Sequence, residues 1–137
     1  MANYVWYNPA GGNWTTVTNW SASAYPALGD IVDITQTDIT ANRTITVPTG
    51  LGAPSYISVD DTSDTNGNGV YYTWTLNAGS FVLQNSNIEF NMPYLNQRDG
   101  ILGVPELTLN TTITGNGNIT KTGPGIITLN NSSSFTG

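Results

Sequence analysis

A chain of 137 residues is long enough for one domain with a modest core. Nine acids stand against only Arg43, Arg98 and Lys121, for a net charge of −6 with 9% of residues charged, so neither a phosphate backbone nor an anionic membrane is a fitting partner. No apolar run approaches the roughly 18 residues that span a bilayer, and the absence of His and Cys removes the usual nucleophile pairs and zinc ligands. Asn, Thr and Ser make up about a third of the chain. They suit polar ladders on strands and Asn-rich turns, so an all-β fold is expected.

The first ten residues, Met1 to Ala10, have neither a basic stretch nor an apolar one, so they do not read as a secretory signal. Missing cysteine suits both cytosolic assembly and bacterial export. Residues 1–34 hold three of the four tryptophans, in the order Trp6, Gly12-Asn13-Trp14, Asn19-Trp20, Pro26 and Gly29-Asp30-Ile31-Val32-Asp33-Ile34. Large aromatics ahead of a regular strand predict an N-terminal cap over the first exposed strand layer. A sugar-stacking platform is the alternative for the same rings.

Residues 35–104 form a less regular β region. Alternation predicts strands at 44–47, 56–59, 70–76, 80–83 and 87–90. Between the second and third of these lies Asp60-Asp-Thr-Ser-Asp-Thr-Asn-Gly-Asn-Gly69. Its two Asn-Gly pairs predict a hairpin tip. The spacing of Asp60, Asp64 and Asn66 also fits a loose Ca²⁺ loop, although Thr65 and Tyr71 stand where an EF-hand needs Gly and Glu. Pro93 sits in an aperiodic stretch, 91–100, read as an exposed loop. Its Met92, Tyr94 and Leu95 are the candidate contact surface of a homo-oligomer.

Residues 105–137 carry the most specific pattern. Ile119-Thr-Lys121 and Ile127-Thr-Leu129 alternate around Thr122-Gly-Pro-Gly125, a stretch that cannot be helix. Apolar pairs recur at Ile88/Phe90, Leu107/Leu109 and Ile127/Leu129, each followed by Asn. Their spacing predicts that the three pairs stack in one core column, with Lys121 facing solvent. Gly115, Gly117, Ile119, Lys121, Gly123, Gly125, Ile127, Leu129, Phe135 and Gly137 all fall on the pattern of the autotransporter-associated β-strand repeat, which this segment resembles. Asn131 replaces the customary Gly. The tryptophan-rich opening is similar to segments that precede such repeats in bacterial surface and phage structural proteins.

That resemblance implies a parallel β-helix or β-solenoid continuing beyond Gly137, with a structural and adhesive role and no chemistry of its own. The absence of a leader favours a bacteriophage virion appendage: a fibre, tail or capsid-attached protein contacting other virion proteins or a host-surface glycan. The alternative is a fragment of an autotransporter adhesin on a bacterial outer surface. A polysaccharide-degrading tailspike would need two carboxylates about 5–9 Å apart, and the candidates are Asp60, Asp64, Glu89, Asp99 and Glu106. No spacing ties any two together, so no catalytic residue is assigned. Apart from the loose Ca²⁺ loop, no cofactor is expected. Seven Asn-x-Ser/Thr sequons follow from composition and imply no glycosylation.

Overall fold

The computed structural model describes residues 1–61, 72–93, 106–130 and 133–137. Apolar residues at every second position make strands with one buried face, and two such sheets cover each other. Among the described residues the strands are β1 (Asn3–Val5), β2 (Gly12–Asn13), β3 (Ile31–Ile34), β4 (Arg43–Thr46), β5 (Leu51–Gly52) and β6 (Tyr56–Val59). They continue with β7 (Trp74–Val82), β8 (Ile88–Asn91), β9 (Glu106–Asn116), β10 (Ile119–Thr122), β11 (Ile126–Leu129) and β12 (Ser134–Thr136). A short 3₁₀ turn spans Val17–Asn19.

The first sheet has the order β1-β3-β6-β8-β10 and the second β11-β9-β7-β4-β2, with β5 beside β7 and β12 beside β9. Among the described residues all ten strand pairings are parallel. Parallel partners need a long connection, and here that connection passes through the other sheet: β7 lies between β6 and β8 in sequence but pairs with β4 and β9. Asn77 and Asn110, side by side in the second sheet, are therefore 33 residues apart.

Three expectations are corrected by this topology. The hairpin between 56–59 and 70–76 does not form, because β6 and β7 belong to different sheets; its tip, 62–71, lies outside the described residues. The single apolar column divides as well. Leu107 and Leu109 pair with Ile127 and Leu129, whereas Ile88 and Phe90 sit in the first sheet against Ile119 and Lys121. Both sheets share the same apolar period, so spacing alone does not say which sheet a pair joins. Met92, expected on an exposed loop, is fully buried in the core. It follows the inward-facing Ile88 and Phe90 at the same two-residue period, which carries its side chain indoors despite Pro93.

The core is one cluster fed by both sheets. Val32, Ile57 and Phe90 form an inward column of the first sheet, and Ile45, Leu76 and Leu109 one of the second. Facing outward from the second sheet, Thr44, Thr75, Thr108 and Thr128 stand in register across four strands, the polar ladder that the Thr-rich composition predicts. Strand β7 carries a bulge between Asn77 and Ser80, where Ala78 and Gly79 take positive φ and bend the strand around the Val47–Gly50 corner.

The N-terminal segment shares this core. β1 and β2 lie at the edges of the two sheets, and Trp6, Trp14 and Trp20 are buried. Trp6 meets Trp20 edge-on at a centroid distance of 4.9 Å, and Trp14 meets Phe81 at 5.6 Å, contacts that add about 0.5–1.5 kcal/mol each beyond burial. Every indole N–H is satisfied by a carbonyl: Trp6 by Asn8, Trp14 by Pro26, Trp20 by Trp14 and Trp74 by Asp60. Rings enclosed in this way offer no face to a sugar. Asp30 ties the segment down, accepting from the backbone N–H of Ala2 and of Ala27, both at 3.0 Å.

Candidate functional site

The outward face of the first sheet holds an open groove of about 340 Å³. Strand alternation builds it. Asn3, Ile31, Tyr56 and Glu89 share one outward column, and Asp33, Ser58 and Asn91 the next. Asn3, Ile31, Asp33, Tyr56 and Ser58 line the groove, with Thr35 and Pro93 closing one side.

Hydrogen bonds fix its polar members. Asn91 Nδ2 donates to Tyr56 Oη at 2.5 Å and lies 3.4 Å from Ser58 Oγ. Thr122 Oγ1 donates to Glu89 Oε1 at 2.5 Å, with Asn91 Oδ1 3.2 Å away. Asp33 Oδ1 accepts from the Thr35 N–H at 2.9 Å and from Thr35 Oγ1 at 2.5 Å, while Oδ2 accepts from Gln36 Nε2 at 3.2 Å. Among the described residues no cation lines the groove. The groove is therefore an acceptor-rich, negatively charged surface with an aromatic ring held in place. Asp33, Tyr56 and Ser58 carry no motif in the sequence; only the outward period of two paired strands, β3 and β6, brings them together.

A second feature lies at the far end of the same strands. Asp60 and Asp61 are both buried. The Asp60 carbonyl receives Trp74 Nε1 at 3.2 Å. Asp61 bridges two segments, taking the Ile39 N–H on Oδ1 and the Tyr72 N–H on Oδ2, each at 3.0 Å. Burial pushes the Asp61 carboxyl up to about 6, helped by the nearby Asp38 and opposed by the two backbone donors.

Among the sequence candidates, Asp64, Asn66, Tyr94, Leu95 and Asp99 lie outside the described residues. Asp60 is buried, its backbone carbonyl accepting from Trp74 Nε1, and among the described residues no group of three acids is placed to hold a metal. The described carboxylates considered for glycoside hydrolysis are not brought together. Glu89 is on the first sheet, Glu106 is on the second beside Thr73 Oγ1 at 3.4 Å, and Asp60 is buried. Comparison with known families, curated proteins and solved structures gives no match.

Proposed function

We propose that this chain is a non-enzymatic β-solenoid module with a structural and adhesive role, most in keeping with a bacteriophage virion appendage. The observation that carries this reading is the parallel register itself. The chain passes back and forth between two sheets, with β4/β5 and β11/β12 each sharing the second, and its strands return beside those laid down 20–33 residues earlier, as winding into coils requires. Such a scaffold grows by adding coils, holds its backbone hydrogen bonds within one chain and displays long outward columns. Its surface is acidic and sparsely charged, suited to contact with neutral partners rather than nucleic acid. In this role it assembles as a homo-oligomer or with other virion proteins, and it meets a host-surface glycan or receptor.

A second reading, a piece of an autotransporter passenger domain, is favoured by the repeat glycines. A Cβ at Gly117 would overlap the Ser86 carbonyl oxygen, and one at Gly137 the Gly117 carbonyl oxygen. These two pattern positions thus admit no side chain, which supports the passenger reading. Immunogold labelling with antibodies to the chain distinguishes the two. Gold on phage particles supports the virion reading, gold on the bacterial outer surface moves the protein to the passenger reading, and gold on neither overturns both. Release of reducing ends from capsule or lipopolysaccharide, abolished by one carboxylate change, would make a tailspike the better description.

A further inference from the structure

We infer that the outer groove of the first sheet is a binding subsite for an uncharged oligosaccharide. The inference rests on the adhesive reading and names the ligand class that this surface would take. A pyranose ring presents an apolar C–H face and a rim of hydroxyl groups. It is recognised where an apolar or aromatic surface lies beside acceptors of fixed geometry. The groove supplies both. Tyr56, Ile31 and Pro93 provide apolar surface, and Asp33, Ser58 and Asn3 provide the polar rim.

Two of these groups are set before any ligand arrives. The Asn91 amide fixes the Tyr56 hydroxyl at 2.5 Å, which holds the ring in one position and lowers the entropy cost of binding. Asp33 is oriented by both donors of Thr35 on Oδ1. Among the described residues its Oδ2 accepts from Gln36 Nε2 alone, at 3.2 Å. A carboxylate accepts about four hydrogen bonds, so Oδ2 retains capacity for a sugar hydroxyl.

Charge selects among glycans. Among the described residues no cation lines the groove to offset Asp33, so sialylated, uronic or sulfated sugars would place like charges together. Neutral hexoses meet no such penalty. The buried tryptophans take no part, because their rings are enclosed in the core.

The test is saturation-transfer NMR and titration of the whole chain with maltohexaose, mannotriose and N-acetyllactosamine, alongside sialyllactose and a galacturonate tetramer. Saturable binding of at least one neutral probe, with the anionic probes weaker, is expected. Tyr56→Ala and Asp33→Asn should each raise Kd about tenfold or more, whereas Tyr56→Phe, which keeps the ring, should stay within about threefold. Asn3→Ala, at an exposed position of the edge strand β1, tests the same groove without removing a buried side chain, and a two- to fivefold rise is expected. Tryptophan emission should not move on saturation. Binding that ignores Tyr56→Ala, Asp33→Asn and Asn3→Ala, a preference for the anionic probes, or no saturable neutral probe would each overturn the inference. An absence of neutral binding leaves the structural reading standing when gold still labels the virion, so the two failures are separable.

Discussion

Lys121 stands in register beside Phe90, at the place in its column where the preceding strands carry Val32 and Ile57. The strand pattern sends it inward, yet it is exposed and its Nζ donates to the Gly123 carbonyl at 2.6 Å. Among the described residues β10 pairs only with β8, so this ammonium lies where the apolar column ends. An inward-pointing charge at a sheet edge discourages pairing with another chain. Lys121→Ala should change stability by less than about 0.5 kcal/mol. Lys121→Val, which prolongs the apolar column, should instead produce concentration-dependent association in sedimentation velocity. A strictly monomeric Val variant would remove the edge-protection role.

The Leu109–Leu129 pair makes a sharper contrast than spacing suggests. The two are in register, but Leu109 is 1% exposed and Leu129 56%. Leu109→Ala should cost about 2–5 kcal/mol, and Leu109→Asp should abolish folding by burying an unpaired charge. Leu129→Asp should remain folded, within about 1 kcal/mol of the parent. Urea denaturation of the three variants checks the order, and equal losses at 109 and 129 would contradict this burial difference.

Close backbone approach between neighbouring strands makes a separate prediction at the glycines. Gly123 has φ +76, and a Cβ would overlap the Met92 carbonyl oxygen; Gly50 also has φ +76 but nothing lies within 4 Å. Gly50→Ala carries only the left-handed penalty, about 1 kcal/mol. Gly123→Ala adds a backbone collision and should cost clearly more, about 2–3 kcal/mol in all. The difference in thermal midpoint between the two variants isolates the contact from the conformation.

Asp61 makes stability depend on pH. Its carboxyl is raised from 3.8 to about 6 by burial, so the folded state binds the proton more tightly than the unfolded chain. Stability therefore increases as pH falls from above 6 towards 4, by about 2–3 kcal/mol at most, and the gain is absent above pH 6. Asp61→Asn should flatten that rise. It should also lower stability overall, because an amide NH₂ would face the N–H of Tyr72 or Ile39. Denaturation midpoints at pH 4, 5, 6 and 7 for parent and variant measure both effects, and an unchanged slope in Asp61→Asn would assign the titration to another group.

What the residues determined alone was the local grammar. Period-2 alternation placed strands at 56–59, 119–121 and 127–129 close to their observed bounds, and the scarcity of charge with abundant Thr and Asn pointed to a β fold. The Thr44–Thr75–Thr108–Thr128 ladder and the burial of Trp14 and Trp20 follow from composition and ring size in the same way. Partnership was decided only in three dimensions. Both sheets use one apolar period, so nothing local said that Ile88 and Phe90 belong with Ile57 rather than with Leu107, or that the Asn-Gly pairs do not close a hairpin. Met92 could not be placed indoors from a loop-like neighbourhood, because its burial depends on which strand precedes it and which sheet lies opposite. The groove is the clearest case. Asp33, Tyr56 and Ser58 are ordinary alternating residues in the chain, and they become neighbours because parallel pairing stacks positions roughly 25 residues apart, a distance at which no sequence motif operates.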